Sequence, residues 1–484
     1  MPPPFYGDGS PIAALATPPG ESALALIRSS GPGSLALLST IFSRPAKLRE
    51  AGGNSVVHGW ILAPQSPGSG KAGETGEAGE SGGRAGLVDE VLVSVYRPPA
   101  SYTGEEGADI SCHGGTATVR AVLEALKAVG FRESLPGEFS LRAFMNGKLD
   151  LTRSESVMEL VKAKTGAGRE RAVGRLAGRL QGEIAALSRA LLEALAETEL
   201  RLDYDEEELG LSGEGLPGRE LVEDALGRLR KLAAAWPGER LYQEGALAVI
   251  AGRPNAGKSS LFNALLGEDR SIVTAAPGTT RDWIEALVNI RGIPLRLVDT
   301  AGLREAGGPA LDQAEELGIG RSRELLDKAD LALYVVDGTQ GLRDEDRAVL
   351  STRRPLIPLW NKADIAPPPT PPPGPEPPAP QFLPVSAKTG AGLGELCAAI
   401  EAALGGGIPD RGQEPGLGSL RQKDLVDRAR AALEEALDLA DRGEALDLAA
   451  PLLREAVDAL GEITGEVSTA DILEAIFSTF CVGK

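Results

Sequence analysis

The chain has 484 residues, enough for about three domains with separate hydrophobic cores. Its formal net charge of −19 argues against a broad basic face that neutralises many phosphates, so any nucleic-acid role requires a local patch or a partner. Cys112, Cys397 and Cys481 are too scattered for a disulfide framework or a zinc site, the start Met1–Phe5 is no leader, and no apolar run reaches about eighteen residues; together these point to a soluble cytoplasmic protein without membrane contact.

Residues 1–147 read as α+β. Alternation in Leu24–Arg28, Val56–Leu62 and Val91–Tyr96 marks strands, and Thr118–Val129 has helical spacing. Between them, residues 64–86 are rich in Gly and Glu and bury too little to order, which predicts a disordered surface loop. From about residue 150 to 243 the apolar period becomes that of a helix. Leu176, Leu180, Ile184, Leu187, Leu191 and Leu195 form one stripe, and Leu221, Ala225, Leu229, Leu232 and Trp236 another, as expected of long helices packed in a bundle. Helical spacing returns with Leu425, Ala429, Leu433, Ala436 and Ala440, then with Leu452, Val457 and Leu460 and over Ile472–Phe477. Helices on both sides of an α/β segment imply a helical domain interrupted by an insertion. The division predicted is 1–147, 148–243, an inserted nucleotide domain at 244–405, and a second helical part at 406–484.

The inserted segment carries the chemistry. Gly252–Ser260 follows the apolar run Leu247–Ile250 and precedes Leu261–Leu266, so a strand enters it and a helix leaves it. That context suits a phosphate loop: glycines turn the backbone amides of Asn255, Ala256 and Gly257 inward, Lys258 reaches the β/γ-phosphates, the Ser259 hydroxyl sits on Mg²⁺, and Ser260 continues the helix. Asp299-Thr300-Ala301-Gly302 follows a strand-like run, placing a carboxylate near the Mg²⁺ shell and the Gly302 amide near the γ-phosphate. Asn361-Lys362-Ala363-Asp364 supplies an aspartate that accepts from the ring N–H and amine of guanine, and Ser386-Ala387-Lys388 an amide for its oxygen. Four motifs in this order at strand ends predict GTP binding. Residues 366–380 are proline-rich and are expected to form an extended loop.

The residue after the Asp-Thr-Ala-Gly motif, a water-orienting glutamine in small GTPases, is Leu303 here. Another group must orient the water, or hydrolysis is slow; Arg304, Glu305, Asp312, Glu315 and Glu316 are the candidates. Thr274-Ala275-Ala276-Pro277-Gly278-Thr279-Thr280 is the expected mobile switch, with a threonine able to reach Mg²⁺. Asn255 offers a carbonyl oxygen near the β/γ bridge, suited to a monovalent cation, or simply to the loop's own amides.

These motifs, with Gly278–Asp282, Asp299–Arg304, Ile463–Val467 and the ending Ile476–Lys484, closely resemble the MnmE (TrmE) family of tRNA modification GTPases. The likeness runs over nearly the whole chain, through Ala16–Gly20, Tyr102–Glu105, His113–Gly115 and Pro136–Asp150.

The resemblance implies a multidomain α/β and α+β protein: an N-terminal folate-binding and dimerisation domain, an α-helical domain, and an inserted Ras-like P-loop GTPase domain. It implies a homodimer acting with an FAD-containing partner of the MnmG (GidA) type to install an aminomethyl-type group on C5 of the tRNA wobble uridine, with a tetrahydrofolate as one-carbon donor. Hydrolysis is potassium-dependent and coupled to dimerisation of the GTPase domains. By the family pattern Asn255, Thr274, Ala276 and Thr279 hold K⁺, Ser259 and Thr280 hold Mg²⁺, and Glu315 orients the water. Arg28, Lys148 and Lys484 surround the pterin and its anionic tail. Asp109 stands where the family has a longer glutamate. Cys481 matches the family's C-terminal cysteine, as a structural residue or a functional thiol with only Lys484 nearby to activate it. The competing reading is a ribosome-assembly GTPase switch that binds RNA. It predicts a basic RNA-binding module, which an acidic chain with folate-type motifs does not supply.

Overall fold

A computed structural model describes residues 9–64, 86–204, 215–268, 284–299, 328–350, 355–368, 381–405 and 414–484. The predicted loop at 64–86 and the proline-rich segment fall largely outside these residues. The chain divides into two compact units, Met1–Met158 with Gly461–Lys484, and Glu159–Leu460.

The first unit is built on a six-stranded sheet of β1 (Ile12–Leu15), β2 (Ser22–Ser30), β3 (Ser55–Leu62), β4 (Leu87–Tyr96), β5 (Gly107–Gly114) and β6 (Arg132–Glu133), in the order β3-β4-β5-β2-β1-β6. All neighbours pair antiparallel except β1 with β6. Strand β4 alternates buried and more exposed residues along its length, so Val91, Val93 and Val95 enter one face. That face closes on α1 (Ser34–Thr40), α2 (Pro45–Glu50) and α3 (Thr116–Ala128) through Leu35, Leu38, Leu48, Val122 and Leu126. Phe139 of α4 (Glu138–Met145) packs instead with Ile12 and Ala14 of β1.

Charge holds α4 down. Glu138 is fully buried and accepts from Arg132 at 2.5 Å and Arg142 at 3.0 Å, while Arg142 also reaches Glu105 at 3.2 Å. Burial raises the Glu138 pKa, but hydrogen bonds from Arg132, the Leu135 N–H and Arg142 outweigh it and hold the carboxyl below the ordinary range. The chain's C-terminal helix in this unit, Ala470–Phe477, is capped by the Thr469 hydroxyl and buries Phe477.

Helix α5 (Leu151–Lys162) belongs to the first unit up to Met158, and the second unit continues through α6 (Gly166–Leu176), α7 (Arg179–Asp203) and α8 (Arg219–Glu244). The predicted Leu176–Leu195 stripe is not one helix: it breaks at Ala177–Gly178, where Gly178 takes a φ of 92° that favours glycine, and Leu180, Ile184, Leu187, Leu191 and Leu195 of α7 form the buried part. Helix α7 packs on α8, which buries Ala225, Leu229, Leu232 and Trp236. Helix α8 passes through Pro237, its last turns secured by buried Glu239 and Tyr242. Glu239 pairs with Arg171 and, at 2.9 Å, with Arg175, which also meets Glu159 at 2.6 Å; the Arg171 guanidinium lies 4.1 Å from the Tyr242 ring centre.

The nucleotide segment contributes β7 (Ala246–Gly252), α9 (Lys258–Glu268), β8 (Ile284–Ile290), β9 (Ile293–Asp299), β10 (Leu331–Asp337), α10 (Asp344–Leu350), β11 (Leu356–Asn361), β12 (Leu383–Pro384) and α11 (Leu393–Ala403). The sheet order is β12-β11-β10-β7-β9-β8, parallel apart from β8. Strand β10 is buried at every position, as a strand covered on both faces must be.

Helix α12 (Leu420–Asp441) buries Leu425, Ala429, Leu433 and Ala436 as its spacing predicts. The last long helix, Leu446–Thr464, corrects one detail. Ala449, Leu453, Ala456, Leu460 and Ile463, spaced four, three, four and three apart, line its buried side, and Leu452 and Val457 flank that stripe and are only half-buried.

Candidate functional site

In an open parallel sheet, ligands bind beyond the carboxyl ends of the strands, and the predicted motifs lie there. Strand β7 delivers the chain into Gly252–Gly257, and α9 begins at Lys258. Inside the loop the Lys258 ammonium donates to the carbonyls of Gly252 at 3.0 Å and Arg253 at 2.9 Å. Ala256 is buried, whereas Asn255 is exposed and takes a φ of 59°. Ser260 follows, exposed on the first turn of α9.

Beside the loop, β9 ends at Asp299, and Ser259 Oγ donates to Asp299 Oδ2 at 2.6 Å. These are two hard oxygen donors side by side, the set an Mg²⁺ takes when it bridges nucleotide phosphates. At the end of β11, Asn361 Nδ2 donates to the Ala256 carbonyl at 2.8 Å, and Asn361 Oδ1 accepts from the Ala387 amide at 3.1 Å. A Cβ at position 257 would lie 2.2 Å from Asn361 Nδ2, which is why only glycine fits there. Lys362 pairs with Asp337 at 2.7 Å. Burial pushes the Asp337 carboxyl up, but hydrogen bonds from Lys362 and Thr339 outweigh it and hold it below its ordinary value.

The structure thus brings together the phosphate loop, Asp299, the Asn361–Asp364 loop and the Ser386–Lys388 turn, residues separated by more than a hundred positions in the chain. Thr274–Thr280, Thr300–Gly302 and Glu315 lie outside the described residues.

A cavity of about 330 Å³ opens in the first unit, lined among others by Arg28, Asp109, Tyr96, Tyr102 and Phe139. Arg28 and Asp109 are cross-strand partners on β2 and β5, with Arg28 Nε on Asp109 Oδ1 at 3.1 Å. The Tyr96 hydroxyl donates to Asp109 Oδ2 at 3.4 Å. Burial, then the adjacent Asp109 charge, raises the Tyr96 pKa, so the phenol stays protonated as a donor. The Arg28 guanidinium lies 5.7 Å from the Tyr102 ring and 6.0 Å from that of Phe139. Aromatic faces beside a carboxylate and a guanidinium suit a flat heterocycle that donates N–H groups and carries an anionic tail.

Lys148 and Lys484 do not line the cavity itself. Lys148 donates to the Pro99 carbonyl at 3.0 Å, next to lining residue Ala100, and the Gly483 carbonyl accepts from Arg28 at 3.4 Å. Cys481 is exposed, and its carbonyl accepts the Lys484 amide at 3.2 Å. Sequence reading did not single out Tyr96, Tyr102 or Phe139. Tyr102 and Phe139 sat inside recognised motifs, and Tyr96 closes the β4 alternation one residue past buried Val95.

The family model described as the MnmE helical domain matches residues 151–481, more than half of the chain, and that of the GTP-binding protein TrmE N-terminus matches residues 11–148. The chain belongs to the MnmE (TrmE) family. Relatives named tRNA modification GTPase MnmE include that of Treponema denticola, 40% identical over 491 residues and covering 99% of both chains. That of Chloroflexus aurantiacus is 40% identical over 478 residues, covering 98% of this chain and 99% of its own, and that of Carboxydothermus hydrogenoformans 38% over 484, covering 98% and 99%. A crystal structure of Aquifex aeolicus Era bound to GDP.AlF4- is 27% identical, covers 39% of this chain and 66% of its own, and has a TM-score of 0.26. As an MnmE-family protein the chain is a P-loop GTP hydrolase. The N-terminal TrmE match contains the whole lining of the cavity. Among the described residues no helix is long and apolar enough to cross a membrane.

Proposed function

We propose that this GTP hydrolase is the folate-using component of a complex that adds an aminomethyl or carboxymethylaminomethyl group at C5 of the tRNA wobble uridine. It works as a homodimer with an FAD-containing partner of the MnmG type, and tRNA meets the complex rather than a basic face of this acidic chain. The observation that carries the reading is the coexistence in one MnmE-family chain of the assembled guanine-nucleotide site and the Arg28–Asp109 cavity.

In the GTPase site, Lys258 neutralises charge on the β/γ-phosphates and Ser259, with Thr280, holds Mg²⁺. Amides of the 255–260 loop cradle the phosphates, joined by those of Thr274–Thr280 and Thr300–Gly302. Asp364 and the Ser386–Lys388 turn read guanine. Asn255, exposed on the loop, turns its amide to K⁺ with Thr274, Ala276 and Thr279, and Glu315 orients the attacking water. Potassium-dependent pairing of two GTPase domains completes the site and drives hydrolysis.

In the cavity, a tetrahydrofolate supplies the one-carbon unit when bound. Asp109 accepts from its ring N–H groups, Arg28 and the Tyr102 and Phe139 rings frame the heterocycle, and Lys148 and Lys484 at the rim meet the anionic tail. Cys481 is an exposed thiol, and Cys481→Ser, assayed for tRNA modification, separates a structural from a chemical role.

GTP turnover in KCl against NaCl tests the hydrolytic half, with Asn255→Ala and Glu315→Ala alongside. Strong acceleration by K⁺ that Asn255→Ala loses, and a Glu315→Ala that binds GTP without hydrolysing it, are expected. Equal rates in both salts and wild-type behaviour of both variants reject this mechanism and favour the assembly-switch reading.

A further inference from the structure

Arg253 is the second residue of the phosphate loop, and none of the nucleotide roles above uses its side chain. Its main chain sits at the centre of the loop's own bonding: the Arg253 carbonyl accepts the Lys258 ammonium at 2.9 Å and the Ala256 amide at 3.3 Å. Its side chain runs to the segment from Gly341, in the connection after β10, to the first turn of α10. There Nε donates to Asp346 Oδ1 at 3.1 Å and Nη2 to the Gly341 carbonyl at 2.7 Å. Asp346 is fully buried, and its carboxylate is completed by the Tyr334 hydroxyl at 2.8 Å on Oδ1 and the Arg343 amide at 2.9 Å on Oδ2. The Arg253 side chain is itself only 11% exposed.

A guanidinium held at two points by a buried carboxylate and a fixed carbonyl has little freedom left, so it fixes the backbone that carries it. The backbone so fixed is the one whose carbonyl meets Lys258. We propose that Arg253 and Asp346 are positioning residues for the GTPase: they brace the phosphate loop against β10 and α10, so that its amides and Lys258 meet the phosphates without rearrangement. Neither side chain touches the reacting atoms, so their contribution appears as nucleotide retention more than as chemical rate.

The test uses the full chain with Arg253→Ala, Arg253→Lys, Asp346→Asn and the Arg253→Ala/Asp346→Asn double variant. Release of a fluorescent GDP analogue, steady-state kcat and KM for GTP, and melting temperature are read for each. Both Arg253→Ala and Asp346→Asn are expected to release nucleotide about tenfold faster, with KM rising more than kcat falls. The double variant is expected to be no worse than the weaker single, because both act through one contact, and Arg253→Lys to recover part of the loss. If release and KM stay at wild-type values while only the melting temperature falls, or if the two effects add, the proposal is overturned. Should Asp346→Asn not fold, the two Arg253 variants decide alone.

Discussion

Asn361 Nδ2 donates to the carbonyl of Ala256 at 2.8 Å, so the loop that reads the base and the loop that holds the phosphates share a hydrogen bond. Asn361→Ala strands that carbonyl and the Ala387 amide together. An unsatisfied buried group costs about 1 to 3 kcal/mol, so affinity for GDP and GTP is expected to fall about ten- to a hundredfold by titration calorimetry. Gly257→Ala, whose Cβ meets the same amide, is expected to lose at least as much.

The cavity gives an independent prediction. Asp109→Asn removes the anionic acceptor and leaves Arg28 without its 3.1 Å carboxylate partner. Binding of a reduced folate, measured by calorimetry on the full chain, is expected to weaken about tenfold or more, since hydrogen bonds to charged groups are worth about 1.5 to 3 kcal/mol. Tyr96→Phe, which loses only a 3.4 Å hydroxyl contact, is expected to cost markedly less. Equal losses from the two would contradict the assignment of Asp109 as principal acceptor.

Glu138 ties α4 to the first unit's sheet. Glu138→Ala removes the buried carboxylate that Arg132 and Arg142 share and leaves Arg142 with Glu105 as its remaining carboxylate partner, with a cost of about 1.5 to 3 kcal/mol expected in the unit's urea transition. The folded pKa lies below the unfolded value. The stability it contributes is therefore complete above the ordinary glutamate pKa of 4.5 and is lost as pH falls towards the depressed folded value. Glu138→Gln should flatten that acid limb of the stability curve.

The thiols separate by environment. Burial, reinforced by the nearby Asp89 charge, pushes Cys112 up to about 11, whereas Cys481 is exposed. Iodoacetamide at mildly alkaline pH is expected to label Cys481 within minutes and Cys112 only after denaturation, as read by peptide mass mapping. Early labelling of Cys112 in the native protein contradicts the burial described.

Much of the fold and of the nucleotide site is legible in the sequence alone. The phosphate loop and the Asn361–Asp364 motif declare themselves because their chemistry is local: a few residues at fixed spacing between a strand and a helix. The fold class, N-terminal α+β, helical and P-loop nucleotide segments, follows from the change of apolar period. Long-range pairing is not written in the residues themselves. The family resemblance alone puts Arg28 and Asp109 in one site; what brings them face to face is the pairing of β2 and β5 in one register. Arg253 and Asp346 hid for the same reason, one inside a familiar motif and the other in an ordinary acidic stretch. The Leu176–Leu195 stripe misled because helical periodicity passes unbroken over Ala177–Gly178, where the left-handed turn of Gly178 separates two helices.

The most direct test of the central claim is nucleoside mass spectrometry on tRNA incubated with this chain, the FAD-containing partner, GTP, a tetrahydrofolate one-carbon donor and an ammonium or glycine source. A mass gain on the wobble uridine is predicted, absent without the folate and absent for Lys258→Ala. An unmodified wobble uridine in the complete mixture, with GTP turning over normally, would contradict the account.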